Sequence, residues 1–171
     1  GANVSAATTV GQTLLYFTPR YLSDRLAANP NYRRRFGDRA HKHLFNGGAL
    51  DTQVAINRFL GFRDQISQAV LAESARWGDA KRTVPLKVSD WQNAINGVVN
   101  NFFPNRRNTI ISQLRSRSLY PSIDAPVFSQ HGGTVPPGYQ VSISGAAGMT
   151  IYYTRDGSDP MSPGAAVYSS P

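Results

Sequence analysis

The apolar residues of this chain change period part-way along it. Up to Tyr120 they recur three and four apart, and beyond Ala125 they alternate with polar residues. The first spacing gathers apolar side chains on one stripe of a helix, whereas the second gathers them on one face of a strand. The chain therefore divides into two parts of different class. The break falls at Tyr120-Pro121-Ser122-Ile123-Asp124-Ala125-Pro126, where two prolines restrict the backbone and remove amide donors. We expect an α+β chain in two segregated parts. These are an all-α bundle of about five helices over 1–120, a short stiff linker over 121–125, and a small, incomplete antiparallel β-sandwich module over 126–171.

The helical part carries its own punctuation. Thr18-Pro19 is an N-cap followed by proline at the first helical position, and Asn29-Pro30 repeats the signal. From Pro30 to Phe45, the residues Tyr32, Phe36, Ala40 and Leu44 share a stripe, and Asn46-Gly47-Gly48 closes the helix. Asp51 is placed to cap a third helix reaching Trp77, with Ala55, Phe59, Phe62, Ile66, Ala69 and Glu73 on its inner face, and Gly78-Asp79 ends it. After a loop from Ala80 to Val88, Ser89 is expected to cap a fourth helix. Its stripe of Trp91, Ala94, Ile95, Val98, Val99, Phe102 and Phe103 is the expected centre of the core. Pro104 is expected to break that helix, leaving a fifth that carries Ile110, Ile111 and Leu114 and fades at Ser118.

In the second part, Tyr139, Val141 and Ile143 alternate with Gln140, Ser142 and Ser144, and Thr150 to Thr154 is β-branched and aromatic. With Val127 to Ser129 and Val167 to Ser169 this makes four short strands. A self-sufficient two-sheet sandwich needs about seven, so the module is expected to be incomplete.

Charge follows the same division. Of 18 Lys and Arg, all but Arg155 precede the linker, so the chain up to Asp124 carries a net +9 and the remainder −1. Clustered guanidinium groups on helices attract phosphate backbones and other polyanions, and Arg33, Arg34, Arg35, Arg39, Arg106 and Arg107 are the candidate anion-binding residues. The competing reading is a set of solvated helix faces whose aliphatic stems cover apolar surface. Nucleic acid is the weaker of the partner readings.

The side chains that carry chemistry are sparse. With no cysteine, disulfides, thiolate metal sites and cysteine nucleophiles are excluded. His41 and His43 lie two residues apart on a helix and point to nearly opposite sides, so they cannot chelate one ion. Asp38 with His41 has usable spacing, but the remaining histidine, His131, lies in the other part. Asp156 and Asp159 flank Gly157-Ser158 as turn formers, without the alternating acidic pattern of a calcium loop. Glu73, the sole glutamate, shares the stripe of Ile66, and a structural ion pair with Arg76 or with another helix's arginine is expected there. Gly145-Ala146-Ala147-Gly148 precedes a strand and is a turn, not a phosphate cradle. Tyr152 and Tyr153 point to opposite faces of their strand, so one ring is expected inside and the other outside, where it is a candidate for stacking on sugar. No catalytic, cofactor-binding or metal-ligating set is expected.

Two stretches carry family resemblances. Phe36-Gly37-Asp38-Arg39-Ala40-His41-Lys42-His43-Leu44-Phe45-Asn46-Gly47-Gly48-Ala49-Leu50, with Ala72 to Asp79, Phe103-Pro104 and Leu119-Tyr120-Pro121, resembles the helical C-terminal end of bacterial secreted proteins of the CotH-kinase-like family. Ile151-Tyr152-Tyr153-Thr154-Arg155-Asp156-Gly157-Ser158-Asp159-Pro160 is similar to the signature of the chitobiase/β-hexosaminidase C-terminal type of β-sandwich module. The first resemblance implies that the nucleotide- and metal-binding residues of an atypical kinase fold precede this segment. The second implies a non-catalytic accessory. Both imply an extracellular or cell-envelope location.

The expectation is thus a non-enzymatic structural and interaction segment, excised from a larger protein, whose partner is an upstream domain of the same chain. Polysaccharide or a protein surface are further candidate partners. The alternatives are a carbohydrate-binding accessory and a basic helical domain that binds nucleic acid or another polyanion. No apolar run approaches the ~20 residues of a membrane-spanning helix. The opening Gly1-Ala2-Asn3 lacks a basic and apolar leader, so any secretion signal is expected outside the chain. Leu14-Leu15-Tyr16-Phe17 is the expected docking surface for the upstream domain.

Overall fold

The computed structural model describes residues 18–80, 82–161 and 164–168. They belong to two compact units divided between Tyr120 and Pro121, the first helical and the second built of short strands. The Leu14 to Phe17 segment and Ser169 lie outside the described residues.

Among the described residues the first helix is α1 (Pro19–Leu26), where the Thr18 hydroxyl accepts the Tyr21 amide at 3.2 Å. In α2 (Pro30–Leu44) the Asn29 side chain accepts the Asn31 amide at 2.9 Å. In α3 (Thr52–Trp77) the Asp51 carboxylate accepts the Gln53 amide at 3.0 Å. Each cap satisfies one of the amides that a first turn leaves without a partner. Beyond α2 the chain reverses through Asn46 and Gly47, at φ of 53° and 77°, and the Leu50 amide returns to the His43 carbonyl at 2.8 Å.

α4 (Val88–Gly97) starts differently from expectation. Ser89 lies inside the helix, and Asp90 reaches back to accept the Lys87 amide at 2.8 Å. Nor does Pro104 break the rod. α4 passes through one π turn (Val98–Phe102) into α5 (Phe103–Arg115) without leaving helical backbone angles. The Phe103 amide donates to the Val98 carbonyl five residues back. A proline in a regular α turn collides with the carbonyl four residues before it, and a wider turn immediately upstream gives the ring room. The described helical residues thus form four continuous rods, the last of which joins α4 to α5.

Three contacts set the direction of the long helices. Asp51 meets Arg107, Phe59 meets Phe103 with ring centroids 5.5 Å apart, and Ser74 donates to the Leu86 carbonyl at 2.8 Å. The α4–α5 rod therefore runs antiparallel to α3. The buried core is at the α5 end, where Leu44, Ile111 and Tyr120 pack together with Ala40, Phe45, Ile110 and Leu114 around them. This differs from the sequence expectation, which centred the core on the Trp91 to Phe103 stripe. Trp91, Ile95, Val98, Val99 and Phe103 are only half-buried, and Phe102 is exposed. α2 supplies a third layer at Leu44, so burial is deepest there.

The second unit contains β1 (Val127–Phe128), β2 (Ile143–Ser144), β3 (Tyr152–Tyr153) and β4 (Ala166–Val167). These form two separate antiparallel pairs, with Val127 opposite Ser144 and Tyr152 opposite Val167. The strands are shorter than the alternation predicts: Tyr139 and Val141 precede β2 and are exposed. The fold is thus mixed, with helices first and small sheets after.

Candidate functional site

The second unit holds an open groove of about 1100 Å³. Phe128, Val141 and Tyr152 line it together with Gln140, Arg155 and Tyr168. Tyr168 ties its walls together. Its amide donates to the Ile151 carbonyl at 2.8 Å, and its hydroxyl accepts the Ile143 amide at 2.9 Å, so one residue from beside β4 joins both strand pairs. The Tyr153 ring meets Tyr168 edge to face at 6.3 Å and is half-buried, whereas Tyr152 on the opposite face is 55% exposed. Of the two candidate stacking tyrosines, the structure presents Tyr152 outward and gives Tyr153 to packing.

The rim of the groove is a tight turn. The Asp156 carboxylate accepts the Ser158 amide at 3.0 Å and the Ser158 hydroxyl at 2.7 Å, while Thr154 donates to the Ser158 carbonyl at 2.7 Å. Gly157 sits at φ 79°, where a side chain is disfavoured. The Ser158 hydrogen bonds hold the Asp156 carboxyl below its ordinary range, because they favour the charged form. Asp159 turns to the Met161 amide at 2.9 Å. Both aspartates are therefore engaged in local turns. Arg155, between Thr154 and Asp156, is exposed and forms no ion pair or hydrogen bond among the described residues.

The six candidate anion-binding arginines are divided among local roles. Arg33 donates to the Ala27 and Ala28 carbonyls at 2.7 and 3.2 Å, closing the end of α1. Arg34 reaches Asn31 at 3.4 Å. Arg106 lies over the Phe102 ring at 5.7 Å, and Arg107 lies over Phe45 at 4.7 Å while pairing with Asp51. Arg35 and Arg39 are exposed, one turn apart on α2.

Glu73 corrects another expectation. It is exposed, and no ion pair joins it to Arg76 among the described residues, where Arg76 instead lies over the Trp77 ring at 4.9 Å. The stripe that Glu73 continues is not covered at that point of α3, so water solvates the carboxylate and no buried partner is required. His41 is half-buried, with Nδ1 2.7 Å from the Tyr120 hydroxyl and its ring stacked on Phe45 at 4.4 Å, while His43 is exposed. Among the described residues no group of three or more His, Asp or Glu side chains is placed to hold a metal ion. No described helix is long and apolar enough to cross a membrane.

Sequence reasoning missed Gln140, Phe128 and Arg155 at the groove. A signal for Arg155 existed: it is the lone Lys or Arg after the linker. No protein-family model, no curated protein and no solved structure matches the chain.

Proposed function

We propose that the chain is a non-catalytic interaction segment of a larger secreted or envelope protein, in which the helical unit supports a kinase-like domain of the same protein. The observation that supports this reading is an uncovered apolar row on α3. The stripe expected to face inward is in contact at Phe59, against Phe103, but Phe62 and Ile66 are 58% and 49% exposed, as is Trp77 at 55% beyond the solvated Glu73. Leu86, in the loop before the neighbouring rod, and Phe102, in its π turn, are exposed as well. An apolar stripe at helical spacing is the part of a helix that other elements ordinarily bury, and one left uncovered at Phe62 and Ile66 is what a docking surface needs.

The test is a titration of the chain with the separately produced kinase-like domain of its own reading frame. Phe62→Glu with Ile66→Glu should abolish micromolar binding while leaving far-UV circular dichroism intact, since both side chains are exposed. Binding indifferent to the double substitution would overturn the reading, as would a reading frame without such a domain. Binding of Mg-ATP by the chain itself would overturn its non-catalytic character.

A further inference from the structure

We propose that the groove of the second unit binds an acidic polysaccharide, with a sugar face resting on Tyr152 and a uronate carboxylate held by Arg155. Size is the first argument. At about 1100 Å³ and open to solvent, the groove exceeds the ~300–1,000 Å³ usual for small-molecule pockets and suits a few units of a polymer. The second argument is surface chemistry. Tyr152 and Phe128, 55% and 42% exposed, present flat apolar faces of the kind that the axial C–H groups of a pyranose cover, and Gln140 offers both a donor and an acceptor to ring hydroxyls.

The third argument is charge. Arg155 is the only Lys or Arg in residues 121–171, and the nearest acids in sequence, Asp156 and Asp159, each turn Oδ1 to a local partner, Ser158 and Met161. A planar guanidinium that lacks an internal carboxylate partner is suited to a carboxylate from outside, which it takes through two parallel hydrogen bonds. One cation is too few for a nucleic-acid backbone, whose binding rests on neutralising several phosphates. Strand addition by a peptide is also poorly served, because the flanking strands are two residues long and offer few ladder bonds.

The proposal concerns the second unit alone, so its failure leaves the α3 docking reading standing. The experiment titrates the whole chain with polygalacturonate, alginate and hyaluronate, and with fully methyl-esterified polygalacturonate as the uncharged counterpart. Binding to at least one uronate polymer is expected. It should weaken about tenfold on esterification, with Arg155→Gln, and with Tyr152→Ala. Both side chains are exposed, and unchanged circular dichroism confirms that the variants fold. Arg35→Gln with Arg39→Gln should leave the affinity in place. Because the helical unit is basic, binding that survives Arg155→Gln would be non-specific attraction and would overturn the proposal. Equal affinity for the esterified polymer, no binding to any uronate, or Arg155-dependent binding of dextran sulfate alone would do the same.

Discussion

Arg107 Nη2 lies 3.0 Å from Asp51 Oδ2, while Oδ1 of the same carboxylate accepts the Gln53 amide at 3.0 Å. One side chain therefore caps α3 and ties it to α5 through a pair whose side chains are only 17% and 27% exposed. Asp51→Asn retains a capping acceptor and removes the charge, whereas Asp51→Ala removes both. We expect losses of roughly 1 kcal/mol for the first and 2–3 kcal/mol for the second in urea unfolding. Equal losses would mean that the cap contributes nothing.

Gly48 follows the reversal beyond α2 with almost no space around it. A Cβ there would fall 2.2 Å from the Lys42 carbonyl oxygen and 2.6 Å from that of His43. Both are backbone atoms, so relief requires moving the end of α2. Gly47→Ala meets nothing within 4 Å but must hold φ at +77°. We expect about 1 kcal/mol for Gly47→Ala, from conformational preference alone, and more than about 2 kcal/mol for Gly48→Ala, from collision. Thermal unfolding of the two variants side by side separates the two costs, and a reversed order would refute this account.

Tyr120 closes the helical core at 7% exposure and places its hydroxyl 2.7 Å from His41 Nδ1. Tyr120→Phe keeps the packing and deprives a half-buried ring nitrogen of that partner, for an expected loss of about 1–2 kcal/mol. Tyr120→Ala leaves a cavity beside Leu44 and Ile111 and is expected to lose about 3–5 kcal/mol. Chemical denaturation decides between them. If the two variants lose the same amount, the hydroxyl and not the ring carries the contribution.

The turn at Asp156 has a definite pH response. The hydrogen bonds from Ser158 lower the folded-state carboxyl below the ordinary value of 3.8, so its stabilisation is complete above that value and fades as pH falls through the folded one. The amide resonance of Ser158 should therefore titrate with a midpoint below 3.8, and Asp156→Asn should remove that titration. A midpoint above 3.8 would show that the turn does not hold the ionised form.

Helix ends were the most legible feature, because a cap is decided within a few residues. Thr18, Asn29 and Asp51 each bond an amide two or three residues ahead, so Ser/Thr/Asx before a helix sufficed to place them. Pro104 was misread because a proline breaks a helix only if the preceding turn is a regular α turn, and the π turn at Val98–Phe102 is not marked by any residue type. Ser89 was passed over as a cap in favour of a contact from Asp90 back to Lys87, which periodicity does not separate from its neighbour.

The candidate site was legible in outline. Alternation in Tyr152-Tyr153 required one ring inside and one outside, but which ring packs depends on Tyr168, fifteen residues further on. The freedom of Arg155 likewise depends on where its acidic neighbours point. The α3 stripe was visible as apolar spacing, yet spacing is silent on how far the antiparallel rod covers it, so the exposure of Phe62 and Ile66 was not foreseen.

By itself the sequence determined the division into helices and then strands, the helix caps at Thr18, Asn29 and Asp51, and the turn at Asp156 to Ser158. Each of these rests on backbone geometry and hydrogen bonds between residues close along the chain. Only the tertiary structure decided that the core gathers at Leu44, Ile111 and Tyr120, that α4 and α5 are one rod, and that Tyr168 joins two strand pairs around a groove. Burial is shared between elements distant in sequence, and no local pattern states which of several apolar stripes will meet.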